Sequence, residues 1–550
     1  MGAATIGLGL SPLAALAAND HERASDIAKY IGRGNSKKQK VITLLHTSDI
    51  HGQVNVHDEF FWENGQAVFK KRGGFAHLKT MINELRRQNP NTLLLDGGDC
   101  FQGSGIASLT LGEALVPLMN NMKYDLMLPG NWEVMYGKKI MLRDFAEYNS
   151  RKICANMFND DEKAESLFAP YTTFTIGGIK IGFIGYNDPL TPIRQAPDYS
   201  KGIRFTEPEK NLAQYVRLLR DKERCKMVFV MSHMGLAQQL NLASQPFAEG
   251  VDYILGADTH ERIREPLPGK FSKVTEPGAF ASFIGKLDIL VEDGIIKNES
   301  YQLLEVDPEK YAADAGMTKL VEKAYAPHKE KLNRVIGKTS TTLMRYFVLE
   351  TPLDNLINDA VMWKFNPDLC VSNGFRFCPP LVAPPGGTAD ITVDYMYSMI
   401  PGDAELRMAE VSGSQIISWL EKELENVFAK DPTKRLGGWL VRFKGMKIKF
   451  TIRKEMGNRL EEVLIGGEKI APEKTYKIVS CEREGDPEDV ICRIRNVKNS
   501  RRIGALIHAV LEEYISKHSP VAPELEGRAV ATDAPPTLLT QVSGVNYQFR

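Results

Sequence analysis

The sequence predicts an α/β protein of two domains. Short apolar runs alternate with helix-periodic segments from Val41 to about Glu305, the pattern of strands joined by helical crossovers. Five of those runs close on a polar, turn-prone cluster, as buried strands do. A chain of 550 residues also exceeds what one hydrophobic core supports, so a second domain is expected.

Residues 1–40 form a signal-like segment and a linker. MGAATIGLGLSPLAALAAND is apolar, rich in small residues and ends in Ala15-Leu16-Ala17, an AxA-type cleavage signal, although it lacks a basic start. It predicts a periplasmic or otherwise exported protein, a lipophilic tail without export function being the alternative. Gly and Pro break the run, which is too short to span a bilayer, and no other segment qualifies. The polar, basic GRGNSKKQK that follows reads as linker. Residues 41–306 make the first domain, with GFAHLKTMINELRRQ as a crossover helix between its first two key strands. SFIGKLDILVEDGIIKNESYQLLEV, with alternating apolar residues about an EDG turn, predicts a hairpin that completes a second sheet. Residues 307–338 are charged and helix-periodic, a bridging helix. The second domain, 339–530, has helices at TPLDNLINDAVMWKF and GSQIISWLEKELENVFAK and strands at VSNGFRF, WLVRFKGMKIKFTI and LEEVLIGGEKI. The charged stretch WLEKELENVFAKDPTKR reads as a solvated helix face. Residues 531–550, rich in Pro, Thr and Ser, read as a loosely held tail.

Lys plus Arg balances Asp plus Glu at 69 each, so no field exists to hold a nucleic acid polymer or an anionic membrane. The seven cysteines lack CxxC spacing and are expected as buried thiols, a bridge between Cys370 and Cys378 or between Cys481 and Cys492 being the alternative.

The five strand ends carry the chemistry: Asp49-Ile50-His51, Asp99, Asn131, His233, and Asp258 with His260. Ligands in α/β sheets collect beyond the carboxyl ends of strands. Asp-x-His puts a carboxylate and an imidazole on one side of a strand end. Gly97-Gly98 allows the sharp turn that brings in Asp99, whose two oxygens suit a bridge between ions. Asn131 adds a neutral carbonyl oxygen. This mixed N/O set without thiolate suits two divalent cations, Mn2+ in first place with Zn2+ or Fe2+ as alternatives.

In this order DxH, GGD, GNxE, SHxG and GxxTH resemble the calcineurin-like metallophosphoesterases. With NGFR and GGWLVRFKG in the second domain, the chain resembles their 5′-nucleotidase group over roughly Val41 to Val530. The resemblance implies an N-terminal two-sheet sandwich flanked by helices and a C-terminal α/β substrate-binding domain. It implies one metal on Asp49, His51, Asp99 and His260, and a second, bridged by Asp99, on Asn131, His233 and Asp258. It also implies that Arg376 reaches the substrate anion, with Asn373 and Trp439 as further substrate contacts and Asn131 and Arg376 as the residues nearest the chemistry. The reaction implied is attack of a water shared by the two ions on tetrahedral phosphorus or sulfur.

Two positions depart from the group's pattern. Trp132 stands where GNHE has its histidine, and Asp258 stands where a histidine is usual. Tryptophan neither exchanges a proton at neutral pH nor ligates. GNWE followed by Tyr136-Gly137, with YNDPLTPI and LENVFAKDPTKRLGGWLVRFKGMK, is similar to the SoxB-like thiosulfohydrolase branch. That branch implies removal of a sulfonate, as sulfate, from a thiosulfonated cysteine on a small sulfur-carrier protein. A nucleotidase or other phosphoesterase acting on a small anionic substrate is the alternative, and a non-catalytic homologue a further one. TYKIVSCEREGDPEDVICRI has no aromatic residue near Gly485, which leaves Trp439 as a single stacking face and disfavours a nucleobase pocket.

Overall fold

A computed structural model describes Ile27, residues 39–372 and residues 378–539. The strands that lead to the five motifs are β1 Gln39–Thr47, β2 Thr92–Asp96, β3 Leu126–Met127, β4 Met227–His233 and β5 Tyr253–Gly256. They divide between two six-stranded sheets. β1, β2 and β3 run parallel in the first, and β4 and β5 run parallel in the second beside Ile179–Asn187.

Alternation along the strands sets the layers. In β4, Phe229 and Met231 face the other sheet and share a core with Leu44, Leu94 and Phe183, while Val228 and Val230 pack outward against Leu212, Val216 and Leu236. The first sheet is covered by the helix Phe75–Gln88 through Leu78, Met81 and Ile82. The result is a sandwich with helices outside and every motif at one end.

The hairpin Phe283–Glu292 and Ile295–Glu305 corrects the sequence reading. It pairs antiparallel with β1 and extends the first sheet, not the second. Its own pattern specifies a hairpin but not the partner, which lies some 245 residues away (Asp288 accepts from Thr43). Between the domains, Ala315–Tyr325 and Lys329–Asn333 are helical.

The second domain is built on a five-stranded sheet in the order Arg442–Lys444, Leu369–Ser372, Thr475–Cys481, Glu405–Ser412, Lys498–Leu506. The helix Pro352–Phe365 begins with Thr351 capping Asp354 N and ends at left-handed Asn366. The helix Gly413–Phe428 starts in a reciprocal Ser412–Gln415 capping box. Within the described part of the tail, residues 531–539, Leu538 O accepts from Val348 N, and Leu538 packs on the core of the second domain. All seven cysteines are free thiols. No helix among the described residues is long and apolar enough to cross a membrane.

Candidate metal centre

The motif residues leave their strands in an unusual backbone state. Asp49, His51, Asp99, Asp258 and His260 all have positive φ, at 53°, 50°, 61°, 84° and 60°. For residues with a Cβ this conformation costs about 1–2 kcal/mol each, and it is retained where surrounding contacts enforce it. Those contacts are visible. Asp49 N donates to Gly98 O and His51 N to Asp99 O, each at 2.8 Å, and Phe280 N donates to Asp49 O at 2.9 Å. Gly130 lies against Asp99 so closely that a Cβ there would stand 2.2 Å from Asp99 Oδ1.

Glu133 clasps two of these loops. Its Oε2 accepts from Gly130 N at 2.5 Å and Asp99 N at 2.8 Å; its Oε1 accepts from Cys100 N at 2.5 Å and Phe101 N at 3.2 Å. Burial, followed by the charge of Asp99, pushes its carboxyl up to about 7. The Cys100 thiol is pushed well up by burial and the nearby carboxylates, so it stays protonated and adds no thiolate to the site.

The imidazoles converge on the carboxylates. His51 Nδ1 faces Gln102 O at 2.9 Å and His233 Nδ1 faces Gly97 O at 2.7 Å. A carbonyl only accepts, so each Nδ1 carries a proton and each Nε2 is the atom turned inward, available to a cation once its own proton is displaced. Asp99 Oδ2 lies 3.1 Å from His233 Nε2 and 3.7 Å from His51 Nε2, while its Oδ1 accepts from Trp132 N. Asp49 Oδ1 lies 3.4 Å from His260 Nε2 and 3.8 Å from His233 Nε2. Two groups can each hold a cation: Asp49, His51 and His260, and Asp49, Asp99 and His233. Asp49 is common to both, and Asp99 Oδ2 also stands between histidines of both groups.

The donor set fits divalent cations. His233 Nε2 is fully buried and points at Asp99 Oδ2, 3.1 Å away, with Asp49 Oδ1 at 3.8 Å; ligands of one ion converge in this way. Burial disfavours a charge on His233, but Asp99, Asp49 and Asp258 outweigh it and lift its pKa well above the ordinary value. Burial likewise opposes ionisation of Asp49, yet the surrounding histidines, His260 foremost, hold it well below the usual carboxylate range. Asp49 is thus held ionised among buried imidazoles, a donor set that suits a cation.

Asn131 and Asp258 meet here too, through residues the sequence reading did not identify. Asn131 Nδ2 donates to Asp258 Oδ1 at 2.6 Å, and Gln195 Nε2 donates to Asn131 Oδ1 at 3.2 Å. Arg194 lies between two carboxylates, 2.9 Å from Asp258 Oδ2 and 2.7 Å from Asp188 Oδ2. A signal existed: IGFIGY closed by Asn187-Asp188-Pro189 is a sixth apolar run ending in a polar turn. The segment carrying Arg194 and Gln195 is also gripped by the second domain. Arg483 donates to Ile193 O and Gln195 O, and Asp198 N donates to Glu484 O.

The second domain roofs the centre. One cavity, about 60 Å³, is lined by Asp99, Asn131, Asp258 and His260 below and by Glu423, Asn426, Trp439 and Arg493 above. A second, about 130 Å³, adjoins it across Trp132, Arg194 and Arg493. Trp439 lines the first of these cavities. Arg376 and Asn373 lie outside the described residues. The helix face read as solvated is corrected: Glu421 and Glu423 are buried, and Glu423 faces the cavity.

Comparison with known proteins agrees with this architecture. Residues 42–262 match the calcineurin-like phosphoesterase family and residues 335–482 match the 5′-nucleotidase, C-terminal domain family. Snake venom 5′-nucleotidase of Crotalus adamanteus is 24% identical over 537 residues, covering 89% of this chain and 88% of its own. The trifunctional nucleotide phosphoesterase YfkN of Bacillus subtilis is 24% identical over 542 residues, 88% of this chain, which spans 34% of that larger protein. Among solved structures, the Thermus thermophilus sulfate thiohydrolase SoxB superposes with a TM-score of 0.81 at 23% identity, covering 90% of this chain and 98% of its own. A 5′-nucleotidase precursor from Thermus thermophilus gives 0.77 at 22% identity, with 90% and 100% covered. At these identities the superpositions establish the fold. Both family matches, in this order along the chain, place the protein in the calcineurin-like metallophosphoesterase superfamily of metal-dependent hydrolases, in the form that carries a C-terminal 5′-nucleotidase domain.

Proposed function

We propose that the protein is a binuclear metal-dependent thiosulfohydrolase that releases sulfate from a thiosulfonated cysteine borne by a small carrier protein. The observation that carries this reading is Trp132. Its main-chain N–H holds Asp99 Oδ1, and its ring lines both cavities and packs on the aromatic cluster of Phe60, Tyr346 and Phe347. In the sequence pattern of the group it replaces the histidine of GNHE, the residue that would protonate an alkoxide leaving group.

Two divalent ions, Mn2+ in first place, would supply Lewis acidity and lower the pKa of a water. Asp49, His51, Asp99, Asn131, His233, Asp258 and His260 would hold them, with Nε2 atoms and carboxylate oxygens turned inward. In the overall change one water oxygen joins the terminal sulfur, the sulfur–sulfur bond breaks, and its electron pair leaves on the carrier's sulfur as a persulfide anion. Sulfate and two protons are the other products. A persulfide needs no acid to depart, so Trp132 costs this reaction little and would cost an alkoxide-expelling reaction much. The cationic side chains of Arg194 and Arg493 beside the cavity suit an anionic substrate.

The activities named for the sequence relatives favour a second reading, hydrolysis of nucleotides or other phosphoesters. Sulfate release from a thiosulfonated cysteine peptide and phosphate release from AMP, both by manganese-loaded protein, separate the two. The expected outcome is rapid sulfate release, abolished in Asp99→Ala, with slow AMP hydrolysis. The opposite order of rates would replace the first reading by the second, and protein that retains no metal would indicate a non-catalytic homologue. The apolar start with its Ala15-Leu16-Ala17 signal supports export, which fractionation of expressing cells would test.

A further inference from the structure

The roof of the metal centre holds two buried side-chain atoms, one acceptor and one donor, that no hydrogen bond among the described residues satisfies. Glu423 and Asn426 stand one turn apart on the helix Gly413–Phe428, and both line the cavity above Asp99 and Asn131. Glu423 is 4% exposed and Asn426 8%. Glu423 Oε1 and Asn426 Nδ2 make no hydrogen bond among the described residues. A folded protein rarely leaves a buried acceptor and a buried donor unpaired side by side unless a ligand completes them.

Beside them, Arg493 is delivered by a strained turn. Cys492 and Arg493 form the two-residue connection between Val490–Ile491 and Ile494–Arg495, with φ of 47° and 68°. Two positive φ angles in a two-residue hairpin are normally met by Asn-Gly or Asp-Gly, not by residues such as these. Trp419 Nε1 donates to Cys492 O at 3.0 Å and pins the turn, and Arg493 Nη2 lies 3.1 Å from Glu423 Oε2. The strain is maintained where it places a guanidinium against both cavities.

We propose that Glu423, Asn426 and Arg493 form a peptide-recognition subsite, Glu423 Oε1 accepting a main-chain N–H and Asn426 Nδ2 and Arg493 donating to main-chain carbonyls that flank the reacting cysteine. This rests on the reading above that a protein carries the substrate. Residues at i and i+3 on a helix stand about 5–6 Å apart at Cβ, a distance that a dipeptide spans. Acceptor and donor side by side match the alternating N–H and C=O groups of an extended chain. Trp439 is the one aromatic ring that the second domain gives this cavity among the described residues, and Leu436 and Val441 complete an aliphatic wall. Such a wall suits small residues of a main chain better than a stacked base.

The test is titration calorimetry of manganese-loaded full-length protein with a blocked pentapeptide that carries a central cysteine flanked by small residues. Asn426→Leu and Glu423→Met should each weaken binding about tenfold, with thermal midpoints close to that of the unaltered protein. Two variants guard against one that fails to fold. Peptide binding unchanged in both, or absent from the unaltered protein, overturns the subsite. So does a loss that falls on AMP instead, which would make these residues base contacts. Peptide binding that depends on Asn426 without any sulfate release from the thiosulfonated peptide would sustain the subsite and remove the proposed reaction.

Discussion

Glu133→Gln is a decisive perturbation of the centre, because one side chain holds four backbone N–H groups. Each carboxylate oxygen serves two of them: Gly130 and Asp99 on one side, Cys100 and Phe101 on the other. Glutamine offers a single oxygen, so whichever way it turns, two buried donors face an NH2 group. Each such donor costs about 1–3 kcal/mol, giving about 2–6 kcal/mol in total. Against a typical domain stability of about 5–15 kcal/mol this is a large fraction. Urea unfolding at a pH well above 7, where the Glu133 carboxyl, pushed up to about 7, is ionised, should show by intrinsic fluorescence the transition of the first domain shifted accordingly. Metal content after dialysis should fall with it, since Asp99 and Asn131 flank the clasp. A shift below about 1 kcal/mol with full metal content would refute the reasoning, for it would mean that Glu133 already carries a proton and one oxygen is already a donor.

Trp132→His should raise phosphomonoester hydrolysis about a hundredfold by restoring a general acid, and an unchanged rate with AMP would break the link between Trp132 and leaving-group chemistry. Arg194→Met strands Asp188 and Asp258 as buried carboxylates without their cation; thermal and chemical unfolding should register a loss of about 3–5 kcal/mol, and an unaltered midpoint would show that the pair contributes nothing. Burial pushes the carboxyl of Asp96 from 3.8 to about 8. Between about pH 4 and 8 the folded protein therefore holds a proton that the unfolded chain has released, and stability falls as pH rises through that window. Asp96→Asn cannot ionise, so its denaturation midpoint should vary less over the same range; parallel pH profiles would contradict this.

What the sequence made legible, and what it hid, follow from the range of the interactions. The strand ends were readable because an apolar run closed by Asp-x-His or Gly-Gly-Asp is a local pattern. The hairpin after Phe283 went to the wrong sheet because pairing with β1 depends on residues far away in the chain. Arg194 and Gln195 escaped notice for the same reason: their partners Asp258 and Asn131 are each 64 positions away. Glu423 was hidden by its charge. Its spacing from Ile416, Trp419 and Leu420 follows the apolar stripe of the helix, and periodicity outranks residue type as a guide to which face points inward.

The segment 193–198 belongs to the first domain by chain order but is fastened by Arg483 and Glu484 of the second. Through Gln195 and Arg194 it reaches Asn131 and Asp258. Cutting the chain at the bridging helices would therefore not yield a self-sufficient catalytic half. The excised first domain would keep its two sheets and the cluster of Asp49, His51, Asp99 and His233, but the Asn131–Asp258 side would lose its outer brace. Insertions or fusions that part the two domains should affect that side of the centre first, so its integrity reports on domain contact as much as on the ligands themselves.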